Sequence, residues 1–372
     1  MLMQNSAQIV EQKLNNMKEK EIKSVHSKCA SCGANLIFCP SKQDLVCEKC
    51  ESHYPIKNEG TIETHDLDNN QEIAKLNQTF KNENKIFKCK NCGARIVLNT
   101  YEISKQCPYC GAGLVMDKSV MDGIIPDACI PFAFDEKEAS DLFVKAVSKR
   151  HFVPKKFKRN IPENQIHGIY IPAFAFDAST MSAYDGRLYN EYETTDSDGH
   201  SHTERSYFHI SGSQKEEFED VIVECSSKIT QEEIEGVLPY QFHKKKPYNN
   251  AYILGYSVEH YSETLNESIP DYKSEIEATV RRHILNKYHY DGISYLNVNT
   301  KYSNEKYRYY LLPMYRFEYQ YKKKDFVTYM NGQTGAVDSN LPKSGWAIAL
   351  AILIPFIIVL IPIIIGIISS IK

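Results

Sequence analysis

The sequence predicts an α+β protein that combines two small β-rich zinc ribbons, a β-rich α+β domain with an internal duplication, and one C-terminal transmembrane helix. Three observations lead to this fold class. Paired cysteines occur in two copies, a helix followed by an apolar strand recurs in the middle of the chain, and a long uncharged apolar run follows. The predicted parts are a polar helix at 1–25, zinc ribbon 1 at 26–58, a linker at 59–85, zinc ribbon 2 at 86–118, the large domain at 125–340 and the transmembrane helix at 345–371.

The first segment is polar and charged, with a loose apolar stripe formed by Ile9, Val10, Leu14, Met17 and Ile22. This irregular stripe favours a frayed helix, with a coiled coil as the alternative. The segment has neither a basic start nor an apolar core of the secretory kind, so we expect the bulk of the chain in the cytosol. The odd number of cysteines, eleven, suits the same reducing compartment.

The cysteine pattern predicts two metal sites. The first pattern contains Cys29, Cys32, Cys47 and Cys50, and the second contains Cys89, Cys92, Cys107 and Cys110. In each copy, two C-x2-C pairs flank fourteen residues, which suits a tetrahedral Zn²⁺ site formed by two tight turns and a hairpin. Four thiolates leave no position for a catalytic water, so we expect two structural Zn²⁺ ions per chain and no enzymatic activity. Metal binding, roughly 10 to 16 kcal/mol, supplies the folding energy that so small a core lacks.

Three details leave alternatives open at these sites. Gly33, Gly93 and Gly111 follow their cysteine pairs, whereas Glu51 follows the pair that ends at Cys50. In the first ribbon, Cys39 and His53 could replace one cysteine ligand or lie beside the site. Iron of the rubredoxin kind uses the same four thiolates as zinc.

The large domain contains two similar helix–strand units, which indicate an internal duplication. The first has a helix at 135–151, starting with a capping box of Asp135 and Glu138, and an apolar strand at 171–176. The second has a helix at 271–289 and an apolar strand at 312–317. Turn signals follow each strand, at 185–186 and at 331–332. We predict a pair of antiparallel sheets, each with a helix; two ordinary units without a duplication are the alternative.

The apolar run predicts a membrane helix. Residues 346–368 are 23 consecutive apolar residues, more than the roughly 20 that cross a bilayer core. A buried core helix is the alternative, although such helices seldom exceed about 14 apolar residues. Lys322, Lys323, Lys324 and Lys343 precede the run, and only Lys372 follows it. This asymmetry predicts a single-pass, tail-anchored protein of the cell membrane with most of the chain in the cytoplasm.

Other clusters of reactive residues are interpreted as ordinary structure. Asp196, Asp198, His200 and His202 could bind a metal, but their Ser, Thr and Gly neighbours indicate an exposed hairpin loop. His65, Asp66 and Asp68 form a similar short cluster in the linker. Cys225 ends an alternating strand and is expected to be a buried small hydrophobe rather than a nucleophile.

Residues 149–159 hold six cations around two phenylalanines: Lys149, Arg150, Lys155, Lys156, Lys158 and Arg159, with Phe152 and Phe157. Such a stretch can be a solvated connector, can meet anionic lipid headgroups, or can grip nucleic acid. The whole chain has 44 Lys and Arg against 47 Asp and Glu, a net charge of −3, which weakens the nucleic-acid interpretation.

Several motifs together resemble a bacterial family of TFIIB-type zinc-ribbon membrane proteins. They are the C-x2-C-G-A knuckles, 170–177 (YIPAFAFD), 238–240 (LPY), 330–335 (MNGQTG) and the apolar run. Members are often labelled as relatives of the primosomal replication-restart helicase, but this sequence has no G-x4-G-K-[ST] phosphate loop. Some members look like partners of phage-shock-protein-A-like membrane-stress proteins.

The resemblance implies a cytosol-facing adaptor or scaffold that recruits protein partners to the membrane in an envelope stress response. A membrane-tethered zinc-ribbon protein that binds nucleic acid, related to transcription or replication, is the alternative. Neither function requires a small-molecule substrate. The knuckle residues expected to offer a binding face are Ser31, Lys90, Asn91 and Tyr109.

Overall fold

The computed structural model of the chain describes residues 28–57, 60–67, 84–89, 91–99, 107–110, 114–116, 126–159, 161 and 166–370. Within these residues the protein is a strand-rich mixture of helices and sheets, which confirms the α+β class. The polar helix predicted at 1–25 lies outside the described residues, and so does most of the linker predicted at 59–85.

In chain order the described strands are β1 (Leu36–Cys39), β2 (Asp44–Cys47), β3 (His53–Tyr54), β4 (His65–Asp66), β5 (Asn84–Cys89), β6 (Arg95–Asn99), β7 (Leu114–Met116), β8 (Ala128–Cys129), β9 (Ile166–Thr195), β10 (Ser201–Glu224), β11 (Lys246–Pro247), β12 (Ser257–Glu259), β13 (Gly292–Tyr321) and β14 (Lys324–Asn331). The described helices are α1 (Glu136–Lys149), α2 (Lys155–Arg159), α3 (Gln231–Glu235), α4 (Leu265–Leu285) and α5 (Gly345–Ser370), with short 3-10 helices at Phe242–Lys244 and Asn250–Ile253. Strands β1 to β3 form one sheet, and the other strands form a second sheet of eleven.

Two long antiparallel strands, β9 and β13, form the centre of the large sheet. Each follows a helix and leads through a hairpin into a return strand, in the order α1–β9–β10 and α4–β13–β14. Pro172 pairs with Leu311, and Pro313 pairs with Tyr170. The two prolines therefore lie at symmetric positions on either side of the pair formed by Ile171 and Leu312. This two-fold relation agrees with an internal duplication. The halves share one sheet instead of forming the predicted pair of sheets, because their apolar strands pair directly with each other.

One predicted turn is wrong and the other is present. Asp185 and Gly186 lie inside β9, which continues to a turn at Asp196, whose Oδ1 accepts from the amide of His200 at 2.8 Å. A Cβ on Gly186 would come 2.9 Å from Leu296, so the glycine allows close packing rather than a turn. The turn predicted at 331–332 is present, with the Asn331 side chain accepting backbone amides beyond it.

The two main helices begin at capping boxes. Asp135 accepts from the amide of Glu138 at 2.8 Å, which confirms the predicted start of α1. Helix α4 begins at Leu265, six residues before the prediction, because a second capping box at Thr264 lies ahead of Pro270. The helices pack on the central strands through ring stacks of 4.0 Å between Phe143 and Phe317, and of 4.3 Å between Phe176 and Tyr272.

The last helix, α5, starts beside the chain that follows α1. The amide of Ser344 donates to the carbonyl of Phe152 at 2.7 Å. Within the part of the chain that the structure describes, no helix qualifies by length and hydropathy as a candidate membrane span.

Candidate metal centres

The first cysteine cluster lies at one end of the small sheet. The Sγ atoms of Cys29 and Cys50, of Cys32 and Cys47, and of Cys32 and Cys50 are each 3.5 Å apart. Four zinc–sulfur bonds of about 2.3 Å in a tetrahedron require sulfur atoms about 3.8 Å apart. The four thiols are therefore positioned for a metal ion, and a small expansion fits them to zinc.

Both knuckles of this site have the same backbone shape, despite the missing glycine. Gly33 has φ +72° and its amide donates to the carbonyl of Cys29 at 2.9 Å. Glu51 has φ +56°, and its amide donates to the carbonyl of Cys47 at 3.1 Å. Glu51 thus takes the left-handed conformation that glycine adopts with less strain.

Hydroxyl groups stabilise the thiolates of the first site. The Tyr54 hydroxyl lies 3.2 Å from Cys29 Sγ and, as a hydrogen-bond donor, lowers the pKa of this thiol to about 5. The Ser52 hydroxyl lies 3.2 Å from Cys50 Sγ and lowers the pKa of Cys50 in the same way. Because a metal binds the deprotonated sulfur, these neighbours favour the metal-binding form.

The second cluster repeats the arrangement. Cys89 and Cys110 have sulfur atoms 3.4 Å apart, and those of Cys92 and Cys107 are 3.6 Å apart. In both clusters the first cysteine of each pair is buried and the second lies nearer the surface. Burial raises the pKa of Cys107, so a metal ion has to displace its proton. Gly93 has φ +78°, whereas Gly111 lies outside the described residues.

The second ribbon is joined to the large domain by strand pairing and a buried carboxylate. Strand β6 pairs with β12 in the large sheet. The Tyr109 hydroxyl donates to Glu259, which also accepts from the Ser226 hydroxyl at 2.7 Å. Arg316 donates to the carbonyl of Pro108 at 3.2 Å. Tyr109 was predicted to be exposed on the knuckle, and this prediction is wrong because its hydroxyl serves the buried Glu259.

Burial raises the pKa of Glu259 to about 7. The group's stabilising contribution is therefore complete below its usual pKa, about 4.5, and is lost as the pH rises through about 7. As the pH rises from about 5 to about 8, the free energy of unfolding of Glu259→Gln should increase relative to that of the wild type, by up to about 3 kcal/mol. Urea unfolding at both pH values measures this gain, with Glu219→Gln at an exposed carboxylate as the control. An equal difference at both pH values would contradict it.

The first ribbon is joined to the same part of the large domain. The amide of Phe38 donates to the carbonyl of Leu254 at 2.9 Å, and the ring of Phe38 meets that of Tyr252 edge-on at 5.4 Å. The side chain of Gln43 donates to the carbonyl of Phe132 at 2.8 Å. One short segment, residues 249–260, therefore contacts both ribbons.

The structure separates the other predicted clusters from the two metal centres. Cys39 and His53 lie with Asp44 at the far end of the small sheet, so they do not replace a ligand of the first site. His65 is buried and hydrogen-bonded to Asp127 at 2.8 Å, and Asp66 lies on the exposed side of the same short strand. Asp68 lies outside the described residues.

The remaining predicted residues also have structural positions. Asp196 caps the hairpin turn that contains Asp198 and His200, and His202 lies on the following strand, β10, as the loop interpretation predicts. Cys225 is buried, and burial raises the pKa of its thiol, as expected for a small core residue. Sequence reasoning missed Glu259, which has no sequence signal because its partner Tyr109 is 150 residues away.

The two clusters define a protein with two four-cysteine centres, one on a separate three-stranded sheet and one on strands at the end of the large sheet. Among known proteins, the chain is similar to the uncharacterized protein YdjG of Bacillus subtilis (strain 168). The two are 27% identical over 242 residues, which are 64% of this chain and 70% of YdjG. No family model matches the chain. No solved structure matches it significantly.

Proposed function

We propose that this protein is a membrane-anchored zinc-ribbon adaptor that recruits protein partners to the cell membrane. Its resemblance to a zinc-ribbon membrane family, in which some members look like partners of membrane-stress proteins, implies this role. One observation carries the proposal: two four-cysteine centres lie on separate ribbons, and both ribbons contact one segment of the large domain, residues 249–260. Such an arrangement presents two small surfaces in a fixed relation to each other and to the domain.

The chemistry of the two centres supports binding rather than catalysis. When zinc is bound, all four of its positions are filled by thiolates, so the ion holds the turns together and has no position for substrate or water. The exposed edges of the knuckles remain accessible, including Ser31 in the first ribbon and Asn91 in the second. A rigid, metal-held edge can bind a partner without the large core that a bigger domain needs.

The proposed anchor is helix α5 within the apolar run at 345–371. Its exposed large apolar side chains are Trp346, Leu350, Ile352, Leu353, Ile354, Ile357, Leu360 and Ile361. Trp346 is 75% exposed and Ile352 is 68% exposed. Because contiguous apolar surface of this kind is unfavourable in water, a bilayer is the environment that fits it. The uncharged sequence of the run supports the same proposal.

The base of α5 adjoins the basic stretch 149–159. Ser344, immediately before α5, is hydrogen-bonded to Phe152. In α2, Phe157 is buried against Tyr321, with ring centroids 5.4 Å apart. The other residues of α2 are all cations: Lys155, Lys156, Lys158 and Arg159. Directly after Tyr321 comes the turn between β13 and β14, which carries two more cations, Lys322 and Lys323.

This positive surface fits anionic lipid headgroups. Near such a membrane, each Lys or Arg contributes about 1 kcal/mol of attraction. The cations lie on the same side of the apolar run as the large domain, and the positive-inside rule places that side in the cytoplasm. We therefore propose that the surface rests on the cytoplasmic face of the membrane while α5 enters it.

Photo-crosslinking in native membranes tests the adaptor proposal. A photoreactive amino acid at Ser31 or at Asn91 is expected to capture the same protein partner, because both ribbons are held on one segment. Capture is expected to fall when the zinc ligand Cys107 is replaced, since its ribbon then unfolds. The control position is Asp198, in the hairpin turn of the large domain, where no capture of that partner is expected.

The outcome separates the two functions. Capture of one protein at both ribbons supports the adaptor. Recovery of DNA or RNA adducts in place of a protein would instead support the membrane-tethered nucleic-acid-binding alternative. Equal capture at Asp198 would contradict a binding face on the ribbons.

A further inference from the structure

A third group of potential metal ligands lies on the first ribbon, away from its cysteine centre. Ligand atoms of Cys39, Asp44 and His53 all lie within 4.8 Å of one another. Cys39 and Asp44 are direct partners across the β1–β2 hairpin, and His53 lies on the neighbouring strand β3. All three are at least partly exposed, on the face of the hairpin opposite its buried residues. A metal ion can therefore reach them from solvent.

This group is separate from the four-cysteine site. Cys47, a ligand of that site, and Asp44 are three residues apart on β2, which corresponds to about 10 Å along a strand. Cys47 also points to the buried face of the strand, whereas Asp44 is partly exposed. One ion cannot bridge the two groups, because zinc–ligand bonds are only about 2 Å long.

Both ring nitrogens of His53 face a hydrogen-bond partner. Its Nε2 lies 2.8 Å from the Nζ atom of Lys42, and its Nδ1 lies 2.9 Å from Asp44 Oδ1. An ammonium group only donates, so Nε2 accepts from Lys42 and Nδ1 donates its proton to Asp44. A cation therefore already lies against the ring, and it has to leave before a metal ion can bind.

We propose that Cys39, Asp44 and His53 form a third metal site, for a borderline divalent cation such as Zn²⁺. The set of one sulfur, one nitrogen and one oxygen ligand suits such an ion. On binding, the thiol of Cys39 releases its proton to solvent and the Lys42 ammonium leaves Nε2 of His53. The ring proton moves from Nδ1 to Nε2, so that Nδ1, which faces Asp44, binds the ion. The thiolate and the carboxylate then balance the two positive charges of the ion.

This third site differs from the ribbon centres in affinity and in coordination. Three protein ligands leave a fourth position for water or for a group from a partner, whereas four thiolates leave none. The ion is not needed to fold the ribbon, because the first centre already holds its turns together. The competing Lys42 weakens binding further. The site is therefore exchangeable and takes up metal only after the two ribbon centres are filled.

Cobalt titration of the full chain tests the proposal. Both ribbon centres are first loaded with zinc, excess metal is removed, and Co²⁺ is added while the thiolate-to-cobalt absorption is followed. We expect one further Co²⁺ per chain, with the absorption of a single cobalt–sulfur bond. Cys39→Ala and His53→Ala should each abolish this absorption while two zinc ions stay bound.

The lysine provides an independent readout that does not depend on losing a ligand. Lys42→Leu removes the competing cation and should tighten Co²⁺ binding about tenfold, since a like charge no longer opposes the ion. The matched control is His209→Ala. His209 Nε2 lies 2.7 Å from Asp185 Oδ2 on an exposed surface, and among the described residues this pair has no cysteine as a partner. This control should leave the titration unchanged.

Three outcomes would overturn the proposal. The first is no cobalt–sulfur absorption in the zinc-loaded wild type. The second is absorption that survives in Cys39→Ala. The third is loss of a zinc ion in Cys39→Ala, which would make Cys39 a ligand of the first centre instead of a separate site.

Discussion

Replacing Cys107 by Ser is expected to release one of two zinc ions and to unfold the second ribbon. Metal binding contributes roughly 10 to 16 kcal/mol to a ribbon of this size, far more than its small core can supply. The loss should spread to the large domain, because β6 no longer pairs with β12 and Tyr109 no longer donates to the buried Glu259. Membrane insertion should persist, since it depends on the hydrophobicity of the run at 345–371.

Zinc content, limited proteolysis and thermal unfolding measure these effects together. The zinc content should fall from two ions per chain to one, the second ribbon should become sensitive to protease, and the unfolding temperature of the large domain should drop. Cys225→Ala is the matched control, because it removes a buried cysteine that is not a ligand and should keep both ions. A protease-resistant second ribbon with only one zinc bound would contradict the structural role of the metal.

Ending the chain after Pro342 is expected to move the protein from the membrane fraction into solution. The truncation removes α5 but none of the strands, so the shortened protein should fold and bind two zinc ions. It should also lose the ability to bring a captured partner to membranes, since the ribbons are no longer held there. Sedimentation of cell membranes, followed by zinc analysis of the soluble fraction, measures the result.

The shortened protein also tests the basic surface by itself. It should retain weak, salt-sensitive binding to vesicles that contain anionic lipid, and the double change Lys155→Glu and Lys156→Glu should abolish it. Vesicles of neutral lipid are the control and should bind neither form. A shortened protein that stays with cell membranes as firmly as the full chain would contradict the proposed anchor.

The metal centres were predictable because their determinants are local. Two C-x2-C pairs at a fixed spacing specify the turns, and the structure brings both sets of four sulfur atoms together. The start of α1 was predictable for the same reason, since Asp135 and Glu138 are only three residues apart. The conformation of Glu51 was less predictable, because the sequence lacks a glycine there and the structure nevertheless gives this residue the positive φ of the other knuckles.

Features that depend on distant residues were not predictable. The Asp185–Gly186 pair carries a turn signal, but packing against Leu296 explains the glycine and the strand continues. Tyr109 was expected to be exposed because nothing near it in sequence indicates the partner Glu259. Fusion of the two halves into one sheet likewise depends on pairing between β9 and β13, which no local pattern specifies.

Metal analysis of the purified full-length protein tests the central claim most directly. The claim is that two closed four-cysteine centres hold the ribbons in place for binding. We predict two zinc ions per chain that survive gel filtration, with no iron and no colour. A folded protein with almost no bound metal, or one that carries iron in place of zinc, would contradict it.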